Sequence, residues 1–133
     1  MNNVMEEKII FTTGGTGGHI YPALAIAKEF KKRGSSILFV GTKHRMEREI
    51  VPNEGYDFIG LDVLPLRSIK SFIKMLKAIK EALRIVKNEK PTKVIGFGNY
   101  ISIPILVAAK IKKIPYYLQE QNSTMGMANR YFY

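Results

Sequence analysis

The sequence predicts an α/β fold in which a parallel sheet carries helices on both faces. Short apolar segments alternate with segments of helical spacing four or five times along the 133 residues. Three of the predicted strands end in glycine-rich or polar segments, and in a parallel sheet such strand ends meet at one edge, where ligands bind. The length favours one domain over residues 1–133, and 46% apolar residues are enough for a core.

The N-terminal part predicts one strand and one helix. The strand is the apolar run Lys8–Thr12, and the segment Thr13–His19 leads from it to a helix at Pro22–Arg33. Gly34 suits the C-cap of this helix. Lys31–Arg33 place cations in the last turn, where they interact favourably with the helix dipole.

The rest of the chain continues the alternation of strands and helices. The next predicted elements are a strand at Ile37–Val40, a helix at Arg45–Val51 stopped by Pro52, and an extended stretch at Tyr56–Ile59 that continues at Leu61–Val63. Ser68 is placed to cap a long helix at Ile69–Asn88. The last elements are a strand at Lys93–Ile95, a second glycine loop at Gly96–Tyr100, a helix at Ser102–Ile111, a strand at Pro115–Leu118 and a polar turn at Gln119–Asn122.

The long helix has an apolar arc beside a basic arc. The apolar members are Ile69, Phe72, Ile73, Leu76, Ile79, Leu83 and Val86, and the basic members are Lys70, Lys74, Lys77 and Arg84. Nine Lys or Arg and two Glu lie between Arg67 and Lys93, so this segment supplies +7 of the net charge of +10. The helix can simply pack on the sheet with a solvated basic face, or it can contact an anionic membrane surface.

The segment Thr13–His19 is the main candidate for a binding site. Its four glycines let the backbone turn sharply and approach a ligand closely. The helix that follows directs unpaired N–H groups and the positive end of its dipole toward that ligand, so we predict a site for phosphate or another anion. His19 adds a group that can exchange a proton near neutral pH. The alternatives are a tight turn without a ligand and a structural role for His19.

Several classes of function are disfavoured. A P-loop requires Gly-Lys followed by Ser or Thr, whereas Gly18 is followed by His19. A dinucleotide fold needs an acidic residue after its second strand, where this chain has Gly41–Lys43. The absence of cysteine excludes disulfides and thiolate metal sites. Apolar runs such as Ile103–Ala109 are shorter than the roughly 20 residues of a membrane span, and Met1–Lys8 is too polar for a signal peptide, so a cytoplasmic location is expected.

Four segments, in order, resemble the MurG family of peptidoglycan N-acetylglucosaminyltransferases. They are Gly14–His19 with Pro22–Ala25, Gly41–Thr42 with Arg45–Glu47 and Val51–Pro52, Gly96–Pro104, and Glu120–Asn122. The similarity extends from about Lys8 to Asn129. It implies the Rossmann-like, acceptor-binding N-terminal half of a two-domain GT-B glycosyltransferase, with the C-terminal donor domain absent and residues up to Tyr133 entering a further helix.

The resemblance also implies a reaction. The family transfers N-acetylglucosamine from UDP-GlcNAc to the 4-hydroxyl of the muramoyl sugar of lipid I, with inversion, and so forms lipid II. It implies that His19 is the general base, and that neither a metal nor a cofactor is needed, in keeping with the lack of an Asp-x-Asp spacing. The residues implied to hold the acceptor and its diphosphate are Gly14, Gly15, Thr16, Gly17, Gly18, Gly96, Gly98, Asn99, Tyr100, Ser102, Glu120, Gln121 and Asn122.

Two further expectations concern the second loop and the membrane. Asn99 stands where the family usually has glycine, and because asparagine is the residue that best tolerates left-handed backbone after glycine, we expect the shape of the loop to be kept. The family resemblance implies peripheral binding to the anionic cytoplasmic face of the cell membrane. The residues implied in that contact are Lys70, Phe72, Ile73, Lys74, Leu76 and Lys77.

Alternative functions remain open. The chain alone is expected to bind the acceptor but to lack transferase activity. A related GT-B transferase with another diphosphate-linked acceptor would show similar loops. A basic module that binds membranes or nucleic acids is a further alternative, but nucleic acid is not expected as a partner, because the basic residues concentrate on one amphipathic helix and no RNA-binding motif is present.

Overall fold

The computed structural model describes residues 7–15, 17–120 and 128–132. Within these ranges the chain forms six strands, four α-helices and one 3-10 turn. In order they are β1 (Lys8–Thr12), α1 (Gly17–Lys32), β2 (Ser36–Thr42), α2 (Glu47–Asn53), β3 (Asp57–Leu61), α3 (Ile69–Glu89), β4 (Lys93–Phe97), the 3-10 turn (Tyr100–Ser102), α4 (Ile103–Ile111), β5 (Tyr116–Glu120) and β6 (Ala128–Phe132).

The strands form one sheet in the order β3-β2-β1-β4-β5-β6. The first five strands are parallel, and β6 is antiparallel to β5. The predicted α/β class is therefore confirmed. Strand β1 lies between β2 and β4, because the chain places β2 and β3 on one side of β1 and then crosses to its other side for β4 and β5. The carboxyl ends of β1 and β4 consequently flank the position where ligands bind in folds of this type.

Alternate residues of the strands fill two cores, one on each face of the sheet. Ile9 and Phe11 point to one face, where they pack with buried residues of α1 and α2. Ile10 points to the other face, where it packs with buried residues of α3 and α4. Phe11 also stacks on Phe39 of β2 with ring centroids 5.2 Å apart. The predicted helices on both faces of the sheet are confirmed, because both faces of β1 are wholly buried.

Helix α1 begins five residues before the predicted start at Pro22. Ile20, Ala23 and Ala27 are buried at helical spacing, and this packing places Gly17–Tyr21 in the first turn and a half. Pro22 is accommodated inside the helix, because it costs only one hydrogen bond close to the helix start. Gly34 ends α1 with φ +90°, as predicted.

Three other predicted boundaries were wrong. Helix α2 runs through Pro52 to Asn53, because proline in a last turn removes only one N–H bond. Strand β4 extends beyond Ile95 to Phe97, since it pairs with both β1 and β5. The segment Ala128–Phe132, predicted to enter a helix, is a strand that covers the edge of β5.

Candidate functional site

The first glycine loop leads from the end of β1 directly into the first turn of α1. Gly14 and Gly15 are buried and have φ values of 155° and 93°. Gly17 is half-buried and Gly18 is exposed, and both belong to α1. The first two glycines therefore shape the turn, while the second pair presents the N-terminus of a helix to solvent. Thr16 lies outside the described residues.

His19 is the third residue of α1 and is half-buried. The Thr13 hydroxyl donates a hydrogen bond of 2.9 Å to the His19 carbonyl oxygen and so ties the end of β1 to the first turn of the helix. This contact fixes the backbone from which the imidazole projects. The histidine consequently lies beside the exposed Gly18, at the sheet edge where the sequence predicts the ligand.

A buried carboxylate that was not predicted from the sequence lies behind the first loop. Glu47 is 0% exposed, and its two oxygens accept hydrogen bonds from the Gly15 N–H at 3.0 Å and the Thr42 N–H at 2.9 Å. A carboxylate is stable in such a place only when it is paired in this way. A Cβ at Gly14 would lie 2.1 Å from Glu47 Oε2, and one at Gly41 would lie 2.7 Å from Glu47 Cγ. Both glycines are therefore required for the close approach of this side chain.

Two further side chains hold the carbonyl groups of the same loop. Arg45 Nη2 donates a hydrogen bond of 2.9 Å to the Gly15 carbonyl oxygen. Asn99 Nδ2 donates one of 2.9 Å to the Gly14 carbonyl oxygen. The Arg45–Glu47 segment was recognised in the sequence only as part of a resemblance, because nothing in its spacing shows that it reaches a loop 30 residues earlier.

Asn99 links the two glycine loops. Its Oδ1 accepts a hydrogen bond of 2.9 Å from the Ile101 N–H and so caps the 3-10 turn. Its φ is −173°, so this position does not use the left-handed conformation that asparagine tolerates. The residue sits in ordinary extended backbone, and its amide instead serves as a brace between Gly14 and the second loop. A glycine at this position would supply neither hydrogen bond.

The second loop is shorter than predicted. Gly96 is buried inside β4, where a Cβ would lie 3.1 Å from Leu106, so its placement in the loop was wrong. Ser102 is 0% exposed, and its hydroxyl hydrogen bonds to the Thr12 and Phe97 carbonyl oxygens at 3.0 and 3.1 Å. This burial contradicts direct ligand contact by Ser102, which instead joins the ends of β1 and β4. The half-buried residues left at the rim are Gly98, Asn99 and Tyr100.

The predicted third turn is only partly described. Gln119 and Glu120 belong to β5, so their placement in a turn was wrong. Gln119 is buried, and its carbonyl oxygen is 3.5 Å from the Gly98 nitrogen. The end of β5 is thereby brought beside the second loop. Gln121 and Asn122 lie outside the described residues.

The N-terminal half of α3 exposes large apolar side chains. The exposed fractions are 79% for Ile69, 55% for Phe72, 47% for Ile73 and 51% for Leu76. The helix packs on the sheet through other residues, namely Ser71, Met75, Ala78, Ala82, Ile85 and Val86. We call Ile69, Phe72, Ile73 and Leu76, with Lys70, Lys74 and Lys77, the α3 surface. Its apolar members do not fill the core, so the interpretation that this whole arc packs on the sheet was wrong.

A shallow hollow of about 440 Å³ opens on the α3 surface and ends at Asp62. The carboxylate of Asp62 contacts His44 Nε2 and Lys74 Nζ, each at 2.6 Å. Two hydrogen bonds, the larger effect coming from His44 and the smaller from Lys74, lower the pKa of Asp62 to about 2. This ion-paired cluster joins the segments after β2 and β3 to α3.

No helix in the described part of the chain is long and apolar enough to cross a membrane.

Comparisons with known proteins agree with this geometry. Residues 9–133 match the family model described as "Glycosyltransferase family 28 N-terminal domain". The chain is 50% identical over 127 residues to the UDP-N-acetylglucosamine–N-acetylmuramyl-(pentapeptide) pyrophosphoryl-undecaprenol N-acetylglucosamine transferase of Fusobacterium nucleatum, covering 96% of this chain and 36% of that protein. It is 46% identical over 129 residues to the enzyme of the same name from Halothermothrix orenii, covering 92% and 35%.

The solved structures include a similar protein. The crystal structure of Acinetobacter baumannii MurG matches with a TM-score of 0.79 and 31% sequence identity over 87% of this chain and 35% of that one. The chain thus spans about a third of the length of the curated relatives that it matches.

Proposed function

Because this chain belongs to glycosyltransferase family 28, through its N-terminal domain, we propose that it binds the acceptor of an N-acetylglucosamine transfer. The proposed acceptor is the N-acetylmuramyl-(pentapeptide) pyrophosphoryl-undecaprenol in the names of its relatives, that is, lipid I. UDP-GlcNAc is assigned to the part of those relatives that this chain does not cover.

The arrangement of the two glycine loops carries this proposal. The first turn of α1, in which Gly18 is exposed, and the half-buried Gly98 and Asn99 lie at the adjacent carboxyl ends of β1 and β4. A helix N-terminus stabilises negative charge through its free N–H groups and its dipole. A diphosphate placed there would bring the attached sugar close to His19, which is the next residue of α1 after Gly18.

The proposed chemistry requires one proton acceptor. His19 removes the proton of the muramoyl 4-hydroxyl while that oxygen attacks the anomeric carbon of the donor sugar. The new C–O bond forms as the bond to the UDP phosphate oxygen breaks, and UDP leaves with the electron pair. Attack from the side opposite to UDP inverts the anomeric configuration and gives lipid II.

A binding titration tests the acceptor assignment. We expect a soluble short-chain lipid I analogue to bind the purified chain in calorimetry, because the N-terminus of α1 stabilises the diphosphate charge. UDP-GlcNAc at the same concentration should give no heat of binding. A muramyl pentapeptide without the diphosphate is the matched control and should bind much more weakly. If UDP-GlcNAc bound and the lipid I analogue did not, the acceptor assignment would be refuted.

We also propose that the α3 surface docks on the anionic cytoplasmic face of the membrane. Four exposed apolar side chains lie beside three lysines in the stretch of α3 from Ile69 to Lys77. Apolar side chains enter the boundary of the acyl chains while lysines bind acidic headgroups, so the combination suits a lipid surface. Docking there would keep the loops near an acceptor that is anchored by its undecaprenyl chain.

Replacing both Phe72 and Leu76 by serine should lower binding to vesicles that contain phosphatidylglycerol about tenfold or more, because the apolar area that can enter the bilayer is lost. Co-sedimentation with vesicles measures this effect. Ile111→Ser is the matched control, since Ile111 is 57% exposed on α4, outside the α3 surface, and it should bind like the unaltered chain. Equal binding by all three proteins, or stronger binding to an oligonucleotide than to vesicles, would contradict membrane docking.

A further inference from the structure

The buried carboxylate of Glu47 occupies a place that a ligand would otherwise take in the first glycine loop. Its oxygens accept the N–H groups of Gly15 and Thr42 at 3.0 and 2.9 Å. Backbone N–H groups of glycine-rich loops are the usual donors to a bound phosphate. The Gly15 N–H is therefore already paired with an anion that belongs to the protein.

The carbonyl groups of Gly14 and Gly15 are also held by hydrogen bonds from side chains. Asn99 donates to the Gly14 carbonyl oxygen and Arg45 donates to the Gly15 carbonyl oxygen, each at 2.9 Å. Three side chains from two segments, Arg45–Glu47 and Asn99, thus fix two consecutive residues, both of which are buried. A loop held in this way does not rearrange easily to wrap around a ligand, so the ligand must fit the shape that the loop already has.

We propose that Glu47 is a positioning residue that directs the acceptor diphosphate away from Gly15 and onto the first turn of α1. The inference rests on the proposed function and goes beyond it by dividing the four loop glycines into two roles. Gly14 and Gly15 are the scaffold that Glu47 holds. Gly17 and Gly18, which are half-buried and exposed, present the amides that receive the diphosphate.

Charge supports this division. A second anion beside Gly15 would have to share the neighbourhood of the Glu47 carboxylate, and two like charges at short range repel each other. At the start of α1 the N–H groups lack partners within the helix, and the helix dipole favours an anion. Glu47 thus acts by excluding one binding position and by holding the loop so that the other is presented.

Amide hydrogen exchange measured by NMR on the unaltered chain gives the first test. The Gly15 and Thr42 amides should be protected without any ligand, because Glu47 accepts both. The Gly17 and Gly18 amides should gain protection only when the short-chain lipid I analogue is added. Fast exchange at Gly15 in the free chain, or protection that appears at Gly15 but not at Gly17 and Gly18 on binding, would overturn the proposal. This measurement needs no variant, so a substitution that prevents folding does not affect it.

Glu47→Gln gives the second test, with Glu49→Gln, an exposed glutamate on the same helix, as the control. The glutamine keeps the size of the side chain but turns one acceptor into a donor, so either Gly15 or Thr42 loses its partner. We expect Glu47→Gln to weaken binding of the analogue about tenfold or more and to speed exchange at that amide, while Glu49→Gln changes neither.

The outcomes separate this inference from the proposed function. If the unaltered chain and Glu47→Gln bind the analogue equally well, the proposed function stands and the role of Glu47 is refuted. If the unaltered chain does not bind the analogue at all, the proposed function fails, and with it the assignment of Gly17 and Gly18 to the diphosphate. In that case exchange at Gly15 and Thr42 still decides whether Glu47 holds the loop.

Discussion

Gly41→Ala is expected to lower the free energy of unfolding by about 3 kcal/mol and to abolish acceptor binding. An alanine Cβ at this position would lie 2.7 Å from Glu47 Cγ and 2.7 Å from the backbone oxygen of Thr13. Neither neighbour can move without cost, because Glu47 is buried with both oxygens hydrogen-bonded and the Thr13 backbone is held at the end of β1. The new methyl group must therefore push Glu47 off the amides of Gly15 and Thr42.

Gly34→Ala is the matched control for this substitution. Gly34 has φ +90° at the end of α1, but nothing lies within 4 Å of an added Cβ. This variant should lose only about 1 kcal/mol, from backbone strain, and should bind the acceptor analogue normally. Urea unfolding followed by circular dichroism gives both stabilities. If Gly41→Ala were as stable as Gly34→Ala and still bound the analogue, the tight packing of Glu47 beneath the loop would not be needed for the site.

The periodicity of the chain was enough to predict the architecture. Each face of β1 is buried, and the alternation of apolar runs with helical segments indicates a parallel sheet covered on both sides. The capping role of Ser68 was predicted as well, and its side chain accepts a hydrogen bond from the Ser71 N–H. Such features depend on neighbours in the sequence, so a local sequence pattern is enough to predict them.

The features that sequence did not reveal depend on contacts between distant segments. Glu47 is charged and lies beside charged residues at the start of a short helix, so it is indistinguishable in the sequence from a solvated residue. Only the fold shows that it is buried against Gly15, 32 residues earlier. In the same way, Ser102 could be predicted as polar and close to the loop, but not as a residue that joins β1 to β4.

The α3 surface shows a different limit of prediction from sequence. Helical spacing predicted a broad apolar arc, but spacing alone does not say which face of the helix packs on the sheet. The structure uses the smaller residues Ala78 and Ala82, together with Met75, for packing and leaves Phe72 and Leu76 in solvent. Small side chains allow close approach of a helix to its neighbours, and the larger ones then become available for another partner.

His19→Ala is expected to reduce the rate of sugar transfer by about 10²–10⁴-fold, the usual contribution of a general base. Transfer can be measured in a chimera in which this chain replaces the matching N-terminal third of the Fusobacterium nucleatum relative, with which it shares 50% identity. The proposed role places His19 on the acceptor hydroxyl only while the bond forms. Binding of the lipid I analogue to the His19→Ala chain should therefore change by no more than about threefold, which is less than 1 kcal/mol.

The second histidine of the chain supplies the control for this experiment. His44 is exposed, contacts Asp62 and lies outside the glycine loops, so His44→Ala should transfer sugar at nearly the unaltered rate. Added imidazole should restore part of the activity of His19→Ala, because it can take the proton that the missing side chain would have taken, whereas a purely structural histidine would not be replaced in this way. Transfer by His19→Ala within a few-fold of the unaltered chimera would show that the proton goes to another group. The diphosphate assignment to the first turn of α1 would survive that result, since it depends on backbone amides and on Glu47 rather than on the imidazole.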